Sequence, residues 1–203
     1  CSEMPSSTRI MDIRSSLRTK APRPLLFVVG GDDGHNDGNP YNSVMYLHND
    51  LREWVQVSSL SQSRSVCGVA TLGGNLYAIG GYNGDRALDN VERYDPISNS
   101  WSNVASLNSR RCSCVCAVLQ DQIYVVGGVC GPQALKDVEK YEHETNRWIT
   151  CPSMQEGRSG CGVGVIDDVL YAVGGINSFG NTVNTAECYD PRRKEMRSIP
   201  SMN

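Results

Sequence analysis

The chain has 203 residues, with 20 glycines and 9 prolines, and a formal net charge of −3 at pH 7. This length can bury one sizeable β domain, and the acidic balance argues against a nucleic-acid-binding surface, so no nucleic-acid partner is expected. The longest glycine-free apolar run, Leu25 to Val29, is far too short to cross a bilayer, and Cys1 to Lys20 has no apolar signal-peptide core, so the chain reads as soluble with no membrane partner.

Residues 1–24 carry Arg9, Arg14, Arg18, Lys20 and Arg23 against Glu3 and Asp12, and Pro5, Pro22 and Pro24 interrupt any regular element. The stretch reads as a basic, proline-containing linker, a solvated tether with no face to bury. It starts without Met, as though cut from something longer.

From Leu25 to Asn203 the sequence repeats itself. An apolar run ends in a glycine pair at Gly30-Gly31, Gly80-Gly81, Gly127-Gly128 and Gly174-Gly175, with first glycines spaced by 50, 47 and 47 residues. Trp54, Trp101 and Trp148 follow by 24, 21 and 21 residues, and Met196 takes the same place in the last unit. Arg64, Arg111 and Arg158 each stand ten residues after a tryptophan and sixteen before the next glycine pair. A period near 50 with a double glycine in each unit marks a propeller blade rather than a helical solenoid. The units run over about 25–60, 61–107, 108–154 and 155–203.

The second unit shows the internal pattern best. Val66 to Leu72 leads through Gly73-Gly74, a hairpin-type turn, into Leu76 to Ile79; a polar loop follows, then Asn90 to Tyr94, a turn at Asp95-Pro96, and Trp101 to Val104. The third unit repeats this with Cys112 to Leu119, Ile123 to Val126, Val138 to Tyr141 and Trp148 to Thr150. The fourth uses Gly160 to Ile166, Leu170 to Val173, Ala186 to Tyr189 and Glu195 to Ile199. The expected fold is all-β, about four blades of four-stranded antiparallel sheet in an open arc. The first blade should carry three strands, because the residues before Leu25 are basic and proline-rich. Glycine pairs permit a close approach that a Cβ forbids, so a bulky ring is expected to lie against them. Trp54, Trp101, Trp148, Tyr94, Tyr141 and Tyr189 are the structural anchors of the repeat, each indole removing about 150–250 Å² from water when buried.

Cys67, Cys114 and Cys161 each follow a recurring arginine by three residues, which reads as one packing position used three times. Cys112, Cys114 and Cys116 alternate along a strand on one face, with residues two apart separated by about 6.6 Å, too far for three sulfurs on one tetrahedral zinc. Free thiols and the lack of an Asn-x-Ser/Thr sequon point to the cytoplasm. His35, His48 and His143 fall in separate units and share no motif, so neither a metal cluster nor a nucleophilic triad is suggested; no enzyme, metal or cofactor is expected. The Gly31 to Gly38 loop offers Asp33, His35 and Asp37 but has Val44 where a calcium loop needs Glu, and it reads as a turn.

The order Arg, apolar strand, Gly-Gly, polar loop, Tyr-Asp-Pro and Trp, as in Leu76 to Gly84 and Val91 to Pro96, resembles the kelch repeat of kelch-like proteins over Leu25 to Asn203. Arg18 to Pro24 is similar to the tether joining kelch to the preceding BTB-BACK region. The resemblance implies six blades, of which this chain holds four glycine-pair units, and implies that the missing innermost strand of the first blade comes from the C-terminus. Departures are Leu47 and His48 in the first unit and Met196 in the fourth. The resemblance further implies a protein-interaction module that receives a protein or peptide substrate, the substrate-recognition part of a Cullin-3 ubiquitin ligase adaptor. Cullin-3 itself would be reached only through BTB and BACK regions that these residues lack. An actin-binding cytoskeletal scaffold is the alternative, and cytoskeleton and nucleus are alternative locations.

In the family, the loops after Gly-Gly and the turns bearing the recurring arginine receive the ligand. The matching positions are Asp32, Tyr82, Val129 and Ile176, with Arg64-Ser65, Arg111-Cys112 and Arg158-Ser159; the alternative for the arginines is pairing with a neighbouring blade. Asp32 to Tyr41, Tyr82 to Asp89, Val129 to Lys136 and Ile176 to Asn184 differ in length and chemistry while the strands stay constant, as when a scaffold displays binding loops. Asn83 and Asn177 belong to these loops, and Tyr82, Arg86 and Phe179 are the side-chain types that interfaces favour. Phe179 either faces a partner or folds back on its own blade. Glu92 and Glu139, on third strands remote from the loops, are the positions expected to tolerate substitution without loss of capture.

Overall fold

A computed structural model describes residues 25–34, 38–48 and 50–203. The linker at 1–24, and His35 and Asp37 of the candidate calcium loop, lie outside the described residues. All regular elements there are strands. The first sheet has three, β1 (Leu26–Val29), β2 (Val44–His48) and β3 (Glu53–Val57), in that order. The second has four, β4 (Gly68–Leu72), β5 (Asn75–Ile79), β6 (Val91–Asp95) and β7 (Ser100–Val104). In the third, β8 (Val115–Leu119) and β9 (Gln122–Val126) precede a short ribbon, β10 (Val129–Cys130) with β11 (Gln133–Ala134), and then β12 (Val138–Glu142) and β13 (Arg147–Cys151) complete four strands. The fourth is β14 (Gly162–Ile166), β15 (Val169–Val173), β16 (Ala186–Asp190) and β17 (Glu195–Ile199). Every pairing is antiparallel between consecutive strands of a sheet, so the described fold is all-β, a series of blade-like sheets of which the first has three strands and the next three have four.

Local chemistry explains the strand ends. Gly73 and Gly74 take φ of 57° and 78°, as an I′-type hairpin requires. Gln120-Asp121 and Asp167-Asp168 reach the same left-handed region without glycine, Asp being one of the few residues that tolerates it. The inner strands start later than expected. Val66, Ser113 and Gly160 have φ of 45°, 50° and 57°, which breaks extended backbone before β4, β8 and β14 begin. Cys112 therefore pairs with Val129 across a separate bridge instead of sharing a strand face with Cys114 and Cys116.

The core sits between sheets, not within them. β4 packs beside β8, and β8 beside β14. Tyr77, Ile79 and Val91 of the second sheet meet Ile123, Tyr141 and Trp148 of the third; Tyr124, Val126 and Cys151 of the third meet Leu170, Ala172 and Tyr189 of the fourth. The cluster between first and second sheets is smaller, built on Val44, Leu60 and Ala78. At the arc's outer members, Leu26 and Val28 of β1 and Val165 and Ile166 of β14 are exposed.

Candidate functional site

The glycine pairs and the arginines are one device. Gly80 sits at φ 58°, and a Cβ there would lie 2.5 Å from the carbonyl oxygen of Arg111 in the next unit. Gly81 N–H donates to that same oxygen at 2.9 Å, and Arg111 N–H donates back to Leu88 O at 2.9 Å. What the glycine admits is thus the neighbouring blade's backbone, not a ring. Gly31 with Arg64 and Gly128 with Arg158 repeat the bond at 3.0 and 2.8 Å.

Each arginine side chain then turns into its own blade. The Arg64 guanidinium donates to Gly80 O at 2.7 Å and Asn90 O at 3.2 Å and pairs with Glu92 at 2.6 Å. Arg111 meets Gly127 O, Asp137 O and Glu139, and Arg158 meets Gly174 O, Thr185 O and Glu187. All three arginines are at most 1% exposed. The three glutamates are equally buried, and their second oxygens accept the N–H of Ser61, Asn108 and Gln155 on the incoming segment. These guanidiniums are occupied inside the molecule and offer nothing to a docked ligand, which corrects their assignment as binding residues. Glu92 and Glu139 are buried ion-pair partners rather than tolerant surface positions. The signal was in the sequence, since Glu92, Glu139 and Glu187 trail the arginines by 28, 28 and 29 residues.

A second device joins the outer strands. Trp101 Nε1–H donates to Ser58 O at 2.8 Å, and Trp148 Nε1–H to Ala105 O at 2.9 Å, each reaching the preceding sheet. Asn99 and Asn146, two residues earlier, accept from Ser58 N–H and Ala105 N–H at 3.1 and 2.9 Å, and from Tyr94 and Tyr141 hydroxyls at 2.8 Å each. The two asparagines carry φ of 48° and 49°, so the residue that makes the turn also makes the bond. Their role had not been read from the sequence, although Asn-x-Trp recurs. Trp54 is no core anchor: it is 47% exposed, because its ring belongs to the first described sheet and meets no preceding one.

The residues after the arginines pair with those after the glycine pairs. Ser65 and Tyr82 exchange two backbone bonds of 2.9 Å, Ser159 and Ile176 two of 2.9 Å, and Cys112 and Val129 bonds of 3.0 and 2.8 Å. This brings Ser65 beside Tyr82 within the second unit, and Ser159 beside Ile176 within the fourth, at the loop end of each. Ser65 itself is 4% exposed, so its side chain is not a contact surface. Burial pushes the thiols of Cys67 and Cys161 up to about 11, so they are protonated and apolar at neutral pH, in keeping with a packing position.

The loops are built turns. Tyr82 donates its hydroxyl to Gly84 O at 2.9 Å, and Asn83 Oδ1 accepts from Asp85 and Arg86 N–H at 3.0 and 2.9 Å, leaving Arg86 exposed at the tip. Asp32 Oδ1 accepts from Gly34 N–H at 3.0 Å. Asn177 Oδ1 holds Phe179 and Asn181 N–H at 3.1 Å each, while its amide donates to Glu156 at 3.1 Å. That bond, with one from Thr185, holds the Glu156 carboxyl below its ordinary value. Ser178 Oγ accepts from Ala134 N–H of the third unit at 3.0 Å. Between these anchors Phe179 is 87% exposed, so it does not fold back on its blade.

Among known families, the model described as the KLHDC2/KLHL20/DRC7 Kelch-repeats domain matches residues 19–203. Human Kelch-like protein 33 is 39% identical over 74 residues, 36% of this chain and 14% of that protein. Human Kelch-like protein 35 is 37% identical over 87 residues, 43% of this chain and 14% of its own length. Human Kelch-like protein 6 is 34% identical over 74 residues, covering 36% and 11% respectively. The matched part is therefore a small portion of each relative.

Proposed function

The chain belongs to the kelch-repeat family, as a kelch-repeat domain of kelch-like type, and from that premise we propose that its glycine-pair loops capture a protein substrate for a Cullin-3 ubiquitin ligase. The observation supporting a capture surface is the contrast between internal and displayed residues. Arginine, glutamate, glycine and tryptophan are spent on joining blades, whereas Phe179 stands 87% exposed on a loop pinned by Asn177 and Ser178. An apolar ring held out by a preordered turn suits a protein interface, since little entropy is lost on docking. The loop of the second unit adds an aromatic, Tyr82, and an exposed cation, Arg86. The reading is of a non-catalytic binding module in the cytoplasm, and Cullin-3 would be engaged by other regions of the full-length protein.

In the full-length protein, Phe179→Ala and Arg86→Ala should each weaken substrate capture by about 2 kcal/mol, roughly thirtyfold, with an unchanged melting curve. Glu144→Ala, exposed on the outer turn between β12 and β13, is the control. Equal loss at Glu144, or normal capture by both loop variants, removes this face from consideration. Co-precipitation with Cullin-3 set beside actin co-sedimentation decides the setting: actin binding without Cullin-3 replaces the ligase reading with a cytoskeletal one.

A further inference from the structure

Asn83-Gly84 is the one Asn-Gly step in the sequence, and it lies in the exposed loop that follows the second glycine pair. Asparagine is a thermolabile residue because its side chain can close on the backbone: the next residue's nitrogen attacks the amide carbon, and ammonia leaves. A side chain on that next residue crowds the approach, and glycine has none. The turn itself demands glycine here, at φ 96°, where an added Cβ would also press on Pro40 at 3.4 Å. Three features of the loop act on the reaction. The nucleophile is free, since Gly84 N–H donates to no acceptor among the described residues. The leaving group is free as well: the side-chain nitrogens of Asn42, Asn108, Asn177 and Asn184 are bonded to Leu60, Trp148, Glu156 and Met202, whereas that of Asn83 has no partner among the described residues. The carbonyl is polarised, because Asn83 Oδ1 accepts from Asp85 and Arg86 N–H at 3.0 and 2.9 Å. Two backbone donors on one oxygen stabilise the negative charge it gains as the tetrahedral intermediate forms. Asn99 and Asn146 also accept two bonds each, but Ser100 and Arg147 follow them in β7 and β13 with side chains of their own.

We infer that Asn83-Gly84 is a self-modifying site, converting to aspartate and isoaspartate with water as the only co-reactant. Gly84 N gives its proton to a solvent base and bonds to Asn83 Cγ. The Cγ–Nδ2 bond breaks, and ammonia departs with a proton from water, leaving a succinimide. Water then adds to one of the two ring carbonyls. Cleavage of the bond between Cγ and Gly84 N restores the ordinary backbone with aspartate at the position. Cleavage of the bond between the main-chain carbonyl carbon and Gly84 N leaves isoaspartate, with the chain running through the former side chain and longer by a methylene. Either product sets a carboxylate between Tyr82 and Arg86. The isoaspartyl form also turns the oxygen that Asp85 and Arg86 N–H hold into a main-chain carbonyl, so the turn is rebuilt and the Arg86 tip moves. An effect on substrate capture rests on the function proposed above; the chemistry of the site does not.

The test is to hold the purified chain at neutral pH and physiological temperature for days and to read digested peptides by mass spectrometry, with enzymatic carboxyl methylation as the label for isoaspartate. The label should map to the peptide that contains Asn83. Conversion there should outpace Asn108-Ser109 and Asn177-Ser178 at least about tenfold, and should run no more than about tenfold slower than in the same chain unfolded in urea. Asn83→Ser, which keeps an oxygen able to hold the turn, should abolish the label with an unchanged melting curve. A label that survives Asn83→Ser, conversion at Asn83 more than about tenfold slower folded than unfolded, aspartate without isoaspartate, or faster conversion at another asparagine each overturns the proposal. Full-length protein carried to complete conversion should then lose substrate capture relative to fresh protein. Unchanged capture by the converted protein leaves the modification site standing and removes the second unit's loop from the capture face.

Discussion

At the scale of single residues, the buried Arg–Glu pairs govern what substitution does. A guanidinium at most 1% exposed, bonded to two backbone carbonyls and one carboxylate, becomes an unpaired buried charge when the carboxylate is removed, and Asn108 N–H loses its acceptor. Glu139→Ala should therefore cost about 3–5 kcal/mol in denaturant melts. Arg193→Ala, whose salt bridge with Asp190 is at the surface, should leave the melt unchanged. Val66 presents the opposite case. It is β-branched, half exposed, and held at φ 45°, and its carbonyl accepts Ser113 N–H at 2.8 Å, as Ser113 O accepts Gly160 N–H at 2.8 Å. The backbone bond enforces a conformation the side chain resists. Val66→Gly, which copies the residue of the fourth unit, should stabilise the chain by about 0.5–1 kcal/mol, read as a rise in the denaturant midpoint.

At the scale of elements, the outer strands matter for what they reach across to. Trp148 on β13 is 7% exposed, packs on Tyr141 and bonds Ala105 O, so it fastens the third sheet to the second. Its loss to alanine should cost about 3–5 kcal/mol through the cavity and the orphaned carbonyl. Trp54 on β3 holds the same repeat position with its ring 47% exposed, and its alanine variant should cost less than about 1 kcal/mol. Matched melts of the two variants check this, and equal losses would falsify the junction account. The strands themselves were legible from alternation and turn chemistry: β17 runs Glu195–Ile199 as expected. The inner strands were placed too early because nothing in Val66 or Ser113 announces a left-handed residue; the conformation is imposed by the bond to the next unit.

At the scale of the whole molecule, stability follows neighbours. The third sheet has extensive buried clusters on both sides, whereas the first shares only the small cluster around Val44, Leu60 and Ala78. Amide exchange should be slowest in β9 and β12 and fastest in β1 and β14, by at least roughly tenfold. Uniform protection across the four sheets would show that they open as a single unit instead.

The sequence alone determined the period, the fold class, the number of units and the loops that differ between them, because apolar alternation, glycine pairs and turn residues are local signals that each unit repeats. It also carried the Arg–Glu register and the Asn-x-Trp pattern, though not their meaning. Only the tertiary structure decided which blade each arginine serves, since its backbone bonds one unit while its side chain enters another. Packing between units likewise separated Trp148 from Trp54, two residues with the same place in the repeat and different neighbours. It held Phe179 outward, because the bonds that fix its loop come from Glu156 and Ala134, more than twenty and more than forty residues away in sequence. A periodic sequence specifies its unit; which copies have a partner on each side is a property of the assembled sheets, and burial, charge pairing and exposure all follow from that.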